Sequence, residues 1–136
     1  MKKVEIQIIQ NDVKESAILE VDRKTKTLTF YTKDGLSKTH TAEDLYECFG
    51  LIRADFPDIT FLCKGAKINV HPSRMTSQMS AGLVAYEVKA GQPTEEEDVV
   101  RIFDYEERDL TNDIEAQKQH YRQWIESIRA GDQLPI

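Results

Sequence analysis

Apolar and polar residues alternate from the start of the chain. Val4, Ile6 and Ile8 are separated by Glu5 and Gln7, the two-residue period of a strand with one buried face. Ile18-Leu19-Glu20-Val21 and Thr27-Leu28-Thr29-Phe30-Tyr31 read as two further strands, joined by the polar turn Asp22 to Lys26. Asp34-Gly35 is a strong hairpin signal, because both residue types tolerate positive φ, and it leads into a short strand ending near His40. The first forty residues therefore predict an antiparallel meander. The period then changes. Leu45, Cys48, Phe49, Ile52 and Phe56 recur at helical spacing, with Thr41 as the expected N-cap, Asp44 as its reciprocal acid and Pro57 as the stop.

Ile59-Thr60-Phe61-Leu62-Cys63 is a short apolar run and predicts an inner strand, which Ile68-Asn69-Val70 resumes briefly after Lys64-Gly65-Ala66-Lys67. The stretch from Ser73 admits two readings. Met75, Met79, Leu83 and Tyr86 share a helical face, with Gly91 and Pro93 beyond as a stop, whereas Leu83 to Val88 also fits a strand. The spacing favours one helix of about five turns. Asp98 to Phe103 reads as a strand. A last helix follows Asn112 as N-cap and Glu115 as its partner, with Ile114, Tyr121, Trp124, Ile125 and Ile128 as its buried stripe and Gly131 as its C-terminal glycine. The order β-β-β-β-α-β-α-β-α predicts an α+β fold, a mixed and largely antiparallel sheet covered by about three helices, with right-handed crossovers in its second half. At 136 residues the chain forms one domain, residues 1–136.

Charge adds a local feature. The net charge of −6 is unevenly placed: residues 92–115 hold 2 Lys/Arg against 10 Asp/Glu, which is −8, while residues 1–91 hold 13 against 12 and residues 116–136 hold 3 against 2. Phosphates would be repelled from such a segment, so nucleic acid is not expected as its ligand. No apolar run approaches the ~20 residues that span a bilayer, and Glu5, Gln7 and Gln10 interrupt any signal-peptide core, so no membrane association is expected. Cys48 and Cys63 show neither metal nor redox spacing; Cys48 falls on an apolar helix face, and reduced thiols imply a cytoplasmic setting.

Two stretches are candidates for chemistry. In the first, Lys64, Lys67, His71, Ser73 and Arg74 would surround an anion at a helix start, with His71 as acid or base; Ser73 alone is equally a helix cap. His40, His71 and His120 lack ligand spacing and no catalytic or cofactor motif appears, so no metal, no cofactor and no enzymatic activity are expected. The second stretch is the acidic one. Glu95, Glu96, Glu97 and Asp98 precede a strand and Asp104, Glu106, Glu107 and Asp109 follow it. Folding gains little from such mutual repulsion. The residues are either solvated loops or a docking surface for a basic protein, with Tyr105, and Phe103 if exposed, as aromatic anchors.

Cys63-Lys64-Gly65, the run Asn69 to Met75, Gln78-Met79, Gly82, Ala85-Tyr86 and Ile102-Phe103-Asp104, followed by Gln117, Tyr121 and Trp124, resemble small immunity proteins of bacterial polymorphic-toxin and contact-dependent growth inhibition systems. The resemblance covers residues 61–128. It implies a cytoplasmic, non-enzymatic inhibitor that neutralises one cognate toxin domain, and an acidic rim suits a toxin whose active site is basic. Within the shared motif, the apolar or capping character of Asn69, Ser73, Met75, Met79, Gly82 and Tyr86 suggests that they hold the fold.

Overall fold

The alternating N-terminal third forms the meander that its pattern predicts. The computed structural model describes residues 1–133. In it β1 (Lys2–Gln10), β2 (Val13–Asp22), β3 (Thr27–Tyr31) and β4 (Ser37–Thr41) pair in succession, each antiparallel to the last. Asn11 and Asp12 both take positive φ in the two-residue β1–β2 turn, a connection whose twist matches the strands. Gly35, at φ +93°, closes the β3–β4 hairpin. Ile6, Ile8, Ala17, Leu19, Val21, Leu28 and Phe30 fill one sheet face, while the other is polar, with the hydroxyl pairs Thr27–Thr41 at 2.7 Å and Thr29–Thr39 at 2.9 Å.

Helix α1 (Leu45–Asp55) crosses the inner face and sends Leu45, Cys48, Phe49 and Ile52 into the sheet. Full burial of each large side chain there contributes about 1.5–3 kcal/mol. Its N-cap is Asp44, whose carboxylate accepts from the Glu47 amide at 2.8 Å, rather than Thr41, which ends β4. The opposite face of α1 is also buried. Tyr46 joins a second cluster with Val70, Ala85, Ile102 and Ile114, and Gly50 lies so close to Ile114 that a Cβ would stand 2.1 Å from its Cδ1.

Between Thr60 and Arg101 the chain builds β5 (Thr60–Phe61), β6 (Val70–His71), α2 (Arg74–Ser80), β7 (Val84–Glu87) and β8 (Val99–Arg101). The first sheet has the order β4-β3-β2-β1-β5 and a second has the order β6-β7-β8. The α+β class and the element order are those expected. Every strand pair described is antiparallel, however, so the expected crossovers are replaced by two sheets on either side of α1. β5 is an edge strand, not an inner one. It pairs only with Ile8 and Ile9, which leaves the Lys2–Ile6 half of β1 with one open edge.

The single helix expected from Ser73 is likewise replaced. α2 stops after seven residues because Ala81 and Gly82 adopt left-handed φ of 56° and 81°. Gly82 packs where a Cβ would meet the Asp44 carboxylate at 2.8 Å, and β7 follows as a strand. Met75 and Met79 consequently remain 67% and 73% exposed. α3 (Ile114–Gln133) begins after Asp113, whose Oδ1 accepts from the Glu115 amide at 2.9 Å. Asn112, the expected cap, instead donates its carboxamide to the carbonyls of Phe56 and Ile59. Gly131 does not end the helix, which runs on to Gln133. Ile114 is the buried member of the expected stripe, while Tyr121, Trp124, Ile125 and Ile128 are half-buried.

Candidate functional site

The acidic segment is divided by β8, and its members do different work. Glu95 to Asp98 form a 3₁₀ turn in which Asp98 Oδ2 accepts from the Glu95 amide at 2.9 Å, with Lys89 Nζ 3.9 Å from Asp98. Glu95, Glu96 and Glu97 are exposed. After the strand, Asp104 stays exposed while its carbonyl receives the Lys64 amide at 2.8 Å. Asp109 adopts φ +59° and accepts the Ile68 amide on its carbonyl, so this loop is held against the 3₁₀ turn Lys64–Ala66 and the residues after it.

Glu106 points inward. Lys67 Nζ lies 3.1 Å from its Oε1 and Lys64 Nζ 3.7 Å, while the amides of Glu107 and Arg108 donate to Oε2 at 2.9 and 3.1 Å. Burial opposes its ionisation, yet the Lys67 ammonium and the two amides hold the carboxyl down at about 2. Lys67 also pairs with Glu87 at 2.6 Å; burial alone would lower its pKa, and the two carboxylates raise it instead. Glu106 is therefore a structural anion rather than a surface one. Tyr105 is 45% exposed, and its hydroxyl bonds both Lys14 Nζ and Glu107 Oε1 at 2.5 Å, with the Lys14 ammonium 4.6 Å from the ring centroid. Phe103 is not an exposed anchor: it packs edge-on to Phe49 at 5.3 Å.

The two halves of the segment meet at one place. A groove of about 590 Å³ over β7 and β8 is lined by Val84, Val99 and Val100, with Glu97 from the first cluster and Asp104 from the second. Glu87, Lys64 and Arg101 complete its rim. Lys64 and Glu87 are already paired with Glu106 and Lys67, so Glu97 and Asp104 face Arg101 as the groove's remaining charges. Glu95 and Glu96 are exposed beside Glu97 in the chain, while Glu107 is engaged with Lys14 and the Tyr105 hydroxyl. An apolar strip between carboxylates offers desolvated contact area flanked by charge, which is the make-up of a protein-binding patch.

The set Lys64, Lys67, His71, Ser73 and Arg74 does not converge. The two lysines are taken by Glu87 and Glu106, whereas His71, Ser73 and Arg74 line a separate cleft beside Tyr46 and Tyr121. Ser73 caps α2 by accepting the Thr76 amide at 3.1 Å, the bland role open to it in the sequence. His71 stacks on Tyr121 with ring centroids 4.1 Å apart and donates from Nδ1 to the Pro72 carbonyl at 2.7 Å; burial lowers its pKa and favours the neutral ring. Of the shared-motif residues, Asn69 bonds the Val88 carbonyl and Gly82 packs against α1, as a fold-holding role requires, but Met75 and Met79 do not pack. No three His, Cys, Asp or Glu side chains gather as a metal set among the described residues, and none of their helices is long and apolar enough to cross a membrane. Glu87 and the Lys67–Glu106 link went unread in the sequence, since the partners lie 20 and 39 residues apart with no periodic signal. No protein-family model and no curated protein matches this chain.

Proposed function

We propose that the chain is a non-enzymatic immunity protein that binds a basic toxin domain in the cytoplasm of the producing cell and neutralises it. The carrying observation is the groove in which Glu97 and Asp104, from opposite ends of β8, meet across an apolar strip. Glu106 and its lysines fix the loop beneath this surface, so the exposed carboxylates are displayed without having to be ordered on binding, which lowers the entropic cost of association. The resemblance of residues 61–128 to immunity proteins supports the same reading. Glu95, Glu96, Glu97, Asp98, Asp104, Tyr105, Glu107 and Asp109 provide the surface, and Glu106 its support.

The test is retention of a partner by the tagged chain in lysate of its source cell, compared with a Glu96→Gln/Glu97→Gln/Asp104→Asn variant. The native chain should retain one basic polypeptide in equal amount and suppress its toxicity on co-expression. The variant should retain less of it than the native chain, with the difference largest at low salt where charge is least screened, while keeping the native melting temperature. Equal retention and protection by the variant at every salt concentration would remove this surface from the mechanism.

A further inference from the structure

A cleft larger than the acidic groove lies away from it and carries the opposite charge. It has a volume of about 880 Å³, within the range of small-molecule sites, and lies where α1, α2 and α3 approach one another. Its aromatic wall is continuous. Tyr46 meets His71 edge-on at 5.1 Å and His71 stacks on Tyr121; behind this wall, Tyr121 stacks in turn on Trp124 at 5.5 Å, which does not itself line the cleft.

The rim holds three acids and four permanent cations, and their pairing decides its character. Asp44 is 7% exposed and fully occupied: it caps α1 and accepts the Ser77 hydroxyl at 2.5 Å. Glu47 is paired with Lys118 at 3.2 Å. Lys26 from the β2–β3 turn, Arg74 from α2 and Arg122 from α3 have no acidic partner among the described residues, and Glu43 and the hydrogen-bonded Asp44 carboxylate are the two negative charges left to oppose these three. In a chain of net charge −6, three elements thus place unpaired cations around one aromatic-walled cleft.

We infer that this cleft binds a small organic dianion, a phosphate monoester or a dicarboxylate joined to a planar or apolar body. Arg74 and Arg122 supply charge-assisted, fork-shaped hydrogen bonds, Lys26 a third positive charge, and the His71–Tyr121 wall the apolar contact. The inference does not depend on the toxin-binding surface. It concerns different residues and is tested without a protein partner.

Trp124, the only tryptophan, ends the aromatic stack and reports on the cleft by fluorescence, while the His71 ring proton reports by NMR. Phenyl phosphate, succinate and inorganic phosphate are titrated at low ionic strength into the native chain. The same titrations are run on Arg74→Ala/Arg122→Ala and on Lys24→Ala/Lys33→Ala, which removes two exposed cations that do not line the cleft. Phenyl phosphate or succinate should shift both signals saturably and more tightly than inorganic phosphate. The arginine variant should bind at least about a hundredfold more weakly, the loss expected of two charge-assisted bonds, and the lysine variant unchanged. Three outcomes overturn the proposal: no saturable shift with either organic dianion, undiminished binding by the arginine variant, or equal weakening in the lysine variant.

Discussion

Replacing Gln117 by leucine tests how α3 is fastened to the rest of the fold. Gln117 is fully buried in the first turn of α3, and its carboxamide joins three pieces of chain. Oε1 accepts from the Arg53 guanidinium at 2.5 Å, and Nε2 donates to the carbonyls of Gly65 and Lys67 at 2.9 and 2.7 Å. Arg53 is itself fully buried against Phe49, and burial lowers its pKa to about 10, which leaves it charged at neutral pH. Its remaining partner is the Thr111 carbonyl at 3.1 Å. Leucine has similar volume, so no cavity opens, but all three hydrogen bonds vanish. The charge-assisted bond accounts for about 1.5–3 kcal/mol and the two carbonyl bonds for about 1 kcal/mol each, a loss near 4 kcal/mol. For a domain of this length that lowers Tm by about 12–20 °C, read by circular dichroism and checked by urea denaturation. An Arg53→Met/Gln117→Leu double variant removes the stranded charge along with its acceptor. It should be about 1–3 kcal/mol more stable than the sum of the single changes. A single-variant loss below about 1 kcal/mol, or additivity within about 0.5 kcal/mol, would refute the idea that this buried pair ties α3 to α1.

Other perturbations follow from the packing. Because the Glu106 carboxyl is held at about 2, below its unfolded value, its stabilisation is complete above about pH 4.5 and disappears as pH falls toward 2. Urea midpoints measured across that window should fall less steeply in Glu106→Gln, which is already weaker at pH 7; parallel profiles would contradict this. Gly50→Ala drives a Cβ into Ile114 and should cost about 1–3 kcal/mol by thermal melting, and Ile114→Ala in that background should recover part of the loss. Burial raises the Cys48 and Cys63 thiols to about 11 and 12, so neither should react with a disulfide reagent at pH 8 until denaturant is added, whereas rapid native labelling would show an opening of the core.

The parts of the fold legible in the sequence are those where one face is buried and the other wet. β1 to β3 satisfy that condition, and their period of two names them directly; β4 is read from the Asp34-Gly35 turn, and α1 from its sheet-facing stripe although its other face is buried as well. Helical spacing misleads between Met75 and Tyr86 because two left-handed residues, Ala81 and Gly82, interrupt it, and the close approach of Gly82 to Asp44 is a tertiary fact. The caps lie three residues beyond Thr41 at α1 and one beyond Asn112 at α3, since Thr41 is drawn into the β4 ladder and Asn112 bonds elsewhere. The acidic segment was visible as charge, but not the division within it. Glu106 and Glu107 are neighbours, and only the distant Lys67 makes one of them internal.

The open half of β1 carries a consequence for the protein at high concentration. Ladder alternation turns the backbone N–H and C=O groups of Lys3 and Glu5 toward the side that β5 does not reach, where a strand from another molecule would pair. Such a strand would lie along Lys2, Lys3 and Glu5, all solvent-exposed, and would have to desolvate their charges to pair with the backbone groups of Lys3 and Glu5. These first residues thus act as a guard against edge-to-edge aggregation, and changing Lys3 and Glu5 to threonine would convert a solvated border into a template for fibrous growth.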